Sequence, residues 1–177
     1  YQGRKFDTGL SELGKKQAIA AAENLKAFGF TKIFASVFPR AIETAAYIRK
    51  FYPDVPYYEL PEFNERFIGV VEGTLKSEFA KQYPHILADW HKEIDTRPEG
   101  GESFKDVHKR VVPLVKKHVA ENAGGSILYV IHGNVNRVLI GYALKVPYGK
   151  QMRIRQDHCA INSMVYDHAR RRWEVEY

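Results

Sequence analysis

The stretch from Ser126 to Arg137 constrains this chain more than any other. Five apolar residues, Ile127 to Ile131, follow Gly124-Gly125 and end in His132-Gly133-Asn134. A short apolar run bounded by turn signals predicts a buried strand. The helix-like run from Val135 to Leu144 that follows puts His132 at the carboxyl end of that strand. Open α/β sheets bind ligands at that end, and the free N–H groups of a following helix favour an anion. The stretch by itself supports two readings of His132. It handles a phosphate-like group, or it ends a strand and bonds locally.

The rest of the chain supplies further strand–helix alternation. Ser11 is placed to cap a helix running to about Phe28, with Leu13, Ile19, Ala22 and Leu25 as its apolar stripe and Gly29 as its stop. Residues Thr31 to Ser36 read as a strand, and Pro39 suits the first turn of a helix reaching about Phe51. That places Arg40 at a helix N-terminus, where a cation gains nothing from the helix dipole. An exposed arginine explains this, and so does one with a ligand to hold. A strand is expected over Pro56–Leu60, and a carboxylate-rich loop with Glu62, Glu65 and Glu72 follows. Leu75 to about Ile94 reads as helix broken at Pro84. Ser103 and Asp106 resemble a capping box opening a helix to about Asn122, whose buried face is Phe104, Val107, Val111, Leu114 and Val115. His108 and His118 are expected at its surface. Met152–Arg155, Ala160–Tyr166 and Trp173–Tyr177 read as strands, the last two joined by a hairpin turn. Strands alternating with helices, with no linker or repeat, predict one α/β domain over residues 1–177.

Composition excludes some classes. The single cysteine, Cys159, rules out an internal disulfide framework and a multi-cysteine zinc site. None of the seven histidines form a His-x-His pair or a helical i, i+4 pair, so a dedicated metal site is not expected. The net charge of +6 suits an anionic partner. No nucleic-acid-binding motif accompanies it, and no apolar run approaches membrane-spanning length.

Five segments, in order, resemble the histidine phosphatase (phosphoglycerate mutase-like) superfamily. They are Asp7–Gly14, Ser36–Ala45 in the form Ser-x-x-x-Arg-Ala-x-x-Thr-Ala, Glu65–Gly73, Gly100-Gly101-Glu102-Ser103, and His132-Gly133-Asn134 with Arg137. The resemblance implies a three-layer α/β sandwich, with a mostly parallel central sheet and helices on both faces. It implies catalytic roles for Arg40 as a clamp on the phosphoryl oxygens, His132 as a hydrogen-bond donor to the phosphoryl group, and Glu65 as the general acid. Glu62 and Glu72 fit the acid position less well. Gln2, Gly3, Arg4, Arg66, Gly133 and Asn134 are the expected phosphate- or substrate-binding residues.

No Arg-His-Gly occurs in the sequence. The family carries its nucleophilic histidine in that motif, at the end of the first central strand and just before a Gln-Gly pair like Gln2-Gly3. The expectation is that this strand and nucleophile lie upstream of Tyr1. The short path from Gly73 to Gly100 resembles the compact phosphatase branch. The implied activity is a metal- and cofactor-independent phosphatase acting on small phosphomonoesters through a phosphohistidine. A phosphoglycerate mutase-type transferase and a non-catalytic phospho-ligand or protein-binding domain are the alternatives. The expected partner is a small phosphorylated metabolite, not nucleic acid or membrane. The expected setting is the cytoplasm, and a homodimer is left open.

Overall fold

The computed structural model of the protein describes Gly3 and residues 8–176. Six helices and five strands follow in the order α1 (Glu12–Leu25), β1 (Phe30–Ala35), α2 (Pro39–Arg49), β2 (Tyr57–Glu59), α3 (Lys76–Gln82), α4 (Pro84–His91), α5 (Phe104–Ala120), β3 (Ser126–Val130), α6 (Gly133–Ala143), β4 (Ser163–Asp167) and β5 (Arg172–Glu176). Strands β2, β1 and β3 form a parallel sheet in that spatial order, with Ile33 beside Tyr57 on one side and Leu128 on the other. Strands β4 and β5 form a separate antiparallel hairpin.

Side-chain alternation along β1 explains the layers. Ile33 and Ala35 pack with Ala22 and Leu25 of α1, and with Ala45 and Ile48 of α2. Phe34 points the other way, into Val107, Val111 and Val115 of α5 and Val135, Val138 and Leu139 of α6. Helices therefore cover both faces of the parallel sheet, the three-layer arrangement that βαβ crossovers produce. A third cluster, Ile68, Val71, Phe79 and Ile86, joins the acid loop to α3 and α4.

Local signals set several boundaries. Ser11 caps α1 by accepting from Gly14 N at 3.1 Å. Ser103 and Asp106 form the full capping box of α5, each side chain accepting from the other's backbone N–H. Pro39 and Pro84 open α2 and α4.

Four expectations are corrected. Leu13 and Ile19 are 65% and 47% exposed, and α1 buries the small residues Ala18, Ala21 and Ala22 instead. His118 is buried, its ring stacked 4.0 Å from Phe34 and its Nδ1 3.1 Å from the Tyr129 hydroxyl. His108 is half-buried between Tyr142 and Tyr148. Met152 and Arg153 end a 3-10 helix, Tyr148–Arg153, rather than starting a strand. That helix begins where Gly149 lies so close to the Glu93 carbonyl that a Cβ would fall 1.5 Å from its oxygen.

Among the described residues β3 pairs only with β1, and β4 only with β5. A cavity of about 1110 Å³ is lined by residues 126–132 and 156–166, among others. Leu25 of α1, Val115 of α5 and Leu139 of α6 contribute apolar wall.

Candidate active site

Two adjacent parallel strands deliver the central groups. Ser36 follows β1 and His132 follows β3, and Ser36 N donates to Val130 O at 3.1 Å. Both side chains sit at the carboxyl edge of the sheet, where α2 and α6 begin. His132 occupies the N-cap position of α6 without its side chain capping the helix. Its Nε2 lies 2.8 Å from Ser36 Oγ instead. Ser36 Oγ also donates to Asn64 Oδ1 at 2.9 Å and accepts from Phe38 N at 3.2 Å. The imidazole is 6% exposed. Burial, aided by Arg40 and Arg110, pushes its pKa down to about 3, so the ring is neutral.

Arg40 is the second residue of α2. Its guanidinium lies over the Phe38 ring at 4.9 Å, and Nη2 donates to Gly3 O at 3.3 Å. This position, unfavourable to a cation from the helix alone, aims the group at the cavity mouth shared by Gly3, Glu65 and His132. Gly3 is buried with φ +55°, and a Cβ there would fall 1.8 Å from Glu72 Oε1. Only glycine suits that close approach in the left-handed region.

Glu65 is fixed from both sides. Its Oε1 accepts from Arg66 N at 2.7 Å and its Oε2 from Asn134 N, in the first turn of α6, at 3.3 Å. Burial raises its pKa, and this outweighs those two bonds and the nearby Arg40 and Arg137, all of which lower it. A carboxyl whose pKa is raised by burial is better suited than a free one to give a proton to a departing oxygen. Asn134 Oδ1 accepts from Arg137 Nη1 at 3.2 Å, and Arg137 Nε is anchored on Ile154 O. Gly133 lines the same cavity.

The loop bearing Glu65 is clamped to the Gly-Gly-Glu-Ser loop. Val70 N donates to Glu99 O, and Glu102 N donates to Phe67 O at 2.7 Å. Gly69 has φ +56°, and a Cβ on it would lie 1.9 Å from Glu99 O. Glu102 receives both Nε and Nη2 of Arg110 and also the N–H of Phe67.

The structure thus brings Arg40, Glu65, Arg66, His132, Gly133, Asn134 and Gly3 to one cavity. Gln2 and Arg4 lie outside the described residues. Arg66 also lines this cavity, with its guanidinium bonded inside the protein. It is 1% exposed, its Nε and Nη2 donate to Glu102 O and Thr96 O, and its guanidinium lies over Phe104. Its charge is used inside the protein, tying the acid loop to the start of α5. Ser36, Asn64 and Glu43 are polar site residues that the sequence reading gave no role. Glu43 Oε2 accepts from Leu10 N at 3.0 Å and steadies the loop before α1. Ser36 and Glu43 stand inside the Ser-x-x-x-Arg-Ala segment and Asn64 beside Glu65, so position next to the marked residues was the available signal. Among the described residues no group of three or more His, Cys, Asp or Glu is arranged to hold a metal ion. No described helix is long and apolar enough to cross a membrane.

The model of the histidine phosphatase superfamily (branch 1) matches residues 1–176. The chain belongs to that superfamily. A 2,3-bisphosphoglycerate-dependent phosphoglycerate mutase 2 of Gloeobacter violaceus is 34% identical over 139 residues, which is 76% of this chain and 64% of that protein. A metal-independent phosphoserine phosphatase of Arabidopsis thaliana is 32% identical over 76% of this chain and 58% of its own length. The chain therefore spans under two thirds of each of these two relatives. Among solved structures, a mycobacterial glucosyl-3-phosphoglycerate phosphatase superposes with a TM-score of 0.86 at 28% identity, covering 99% of this chain and 89% of that one. Relatives of this histidine phosphatase chain thus include both mutases and phosphatases.

Proposed function

We propose that the protein is a metal-independent phosphatase for small phosphomonoesters, working through a phosphohistidine. The observation that carries this reading is the convergence on one cavity of Arg40, a neutral His132 and Glu65, whose pKa burial raises. Arg40 presents a planar fork to the phosphoryl oxygens. The N–H groups of α6 add oriented partial positive charge. Glu65 protonates the alkoxide as it leaves. Positioning and charge stabilisation of this kind account for most of phosphoryl-transfer catalysis. The attacking imidazole is the one that the family carries in its Arg-His-Gly motif. Water then regenerates the histidine, splitting one hard displacement into two.

The mutase reading has its own support in the Gloeobacter relative. Hydrolysis is favoured by the segment between the acid loop and the Gly-Gly-Glu-Ser loop, which holds only the short helices α3 and α4. Incubation with 3-phosphoglycerate, a panel of phosphomonoesters and EDTA separates the two. Free phosphate from several esters supports the phosphatase. Interconversion of 2- and 3-phosphoglycerate without phosphate release supports the mutase. Activity that disappears with EDTA overturns the histidine mechanism altogether.

A further inference from the structure

We propose that Ser36 and Asn64 are positioning residues that hold His132 as its Nε2–H tautomer, so that a tetrahedral dianion entering the cavity is met by proton uptake on Nδ1. The proposal rests on the phosphate-site reading above and adds to it a proton that binding must bring in.

A serine hydroxyl has one proton to give and two sites to accept. Ser36 Oγ has three partners. The Phe38 N–H can only donate, which fills one accepting site. Asn64 Oδ1 can only accept, which takes the hydroxyl proton. One accepting site is left, and His132 Nε2 at 2.8 Å fills it only as an N–H. A neutral imidazole carries one N–H, so Nδ1 holds a lone pair. No described residue bonds that nitrogen, and His132 lines the cavity. A lone pair facing a phosphoryl oxygen repels it. The same nitrogen becomes a charged donor once it gains a proton. The charged groups around the ring act in opposite senses. Arg40 from α2 and Arg110 from α5 disfavour a positive charge on the ring. Glu65, when ionised, favours it. An arriving dianion offsets the arginines and raises the proton affinity of the ring.

The test uses the whole protein and sulfate, a tetrahedral anion that keeps both charges near pH 6. Nitrogen NMR of ring-labelled histidine should show His132 as Nε2–H in the free protein. Calorimetry in buffers of different ionisation heat should show close to one proton taken up per sulfate bound, and none in His132→Gln. Asn64→Asp keeps the acceptor and should keep the tautomer. Asn64→Leu frees the hydroxyl proton for Nε2, and should move the ring proton to Nδ1 and abolish the uptake. A free protein with His132 as Nδ1–H, or sulfate binding without proton uptake, overturns the proposal. Failure of sulfate to bind at all would count against the phosphate site itself, while the NMR result still decides the tautomer.

Discussion

Glu65 and His132 carry opposite pKa shifts for the same physical reason. Burial disfavours charge, so the carboxyl is pushed up and the imidazole down. A carboxyl with a raised folded pKa keeps its proton at low pH and loses it as pH rises through the raised value. Acid catalysis by Glu65 should therefore fade on the alkaline side. In protein that carries the Arg-His-Gly nucleophile, Glu65→Gln should cut hydrolysis of alkyl phosphates by about 10²–10⁴-fold. It should spare an aryl ester whose leaving group needs no proton. Equal losses on both esters in steady-state assays would remove Glu65 from the acid role. His132 works the other way. A histidine with a depressed folded pKa contributes stability that is fully present above the unfolded value, near 6.5, and is lost as pH falls towards the folded value. Between pH 6.5 and pH 4.5 this amounts to about 2–3 kcal/mol. Urea unfolding of the wild type should show that loss in excess of the loss in His132→Gln. Parallel pH profiles would contradict the buried neutral ring.

At the scale of elements, Gly69 is the point on which the acid loop turns. Its positive φ and its 1.9 Å Cβ distance to Glu99 O leave no room for a side chain. Gly69→Ala should cost about 2 kcal/mol or more and shift Glu65 away from Asn134 N. The checks are thermal melts together with the alkaline limb of the pH–rate profile. If both stay at wild-type values, the clamp between the two loops has no such role. Most elements were legible because they rest on local chemistry. Ser11 and the Ser103–Asp106 box mark helix starts, Pro39 and Pro84 open helices, and the apolar run before His132 is a strand. Arg40 stood out because its place contradicts the dipole preference. The misses all depend on tertiary contacts. Leu13 and Ile19 look like a buried stripe, yet α1 meets α2 through alanines. Met152–Arg155 alternates like a strand, yet Gly149 must pack on the Glu93 backbone. His118 reads as a surface residue of α5 until Phe34 and Tyr129 are placed beside it. Ser36 and Asn64 are ordinary polar residues in the sequence, and only the fold brings them together across 28 positions.

For the whole molecule, the consequential feature is the cavity that both β3 and β4 line. Among the described residues β3 pairs only with β1, and Leu25 of α1, Val115 of α5 and Leu139 of α6 add apolar wall to the cavity that β3 lines. An exposed strand edge with apolar flanks is an aggregation hazard. A strand of about five residues, roughly 17 Å long, would match β3 in length. It would use the β3 backbone groups that no described residue pairs. Its alternate side chains would reach the α1 and α5–α6 walls. A strand paired with β3 loses chain entropy but gains hydrogen bonds and apolar burial, leaving a net gain of about 2 kcal/mol or more. That gain should raise Tm by roughly 4–8 °C. The prediction is direct to check. A synthetic apolar segment ending in Arg-His-Gly, added in trans or joined ahead of Tyr1, should slow hydrogen exchange at the β3 amides that β1 leaves unpaired. It should raise Tm and bring phosphatase activity with it. The same segment with alanine for histidine should restore protection and stability but not turnover. This separates the strand's structural role from the nucleophile it carries. Unchanged β3 exchange at saturating peptide and in the joined protein would mean that the cavity is not a strand site.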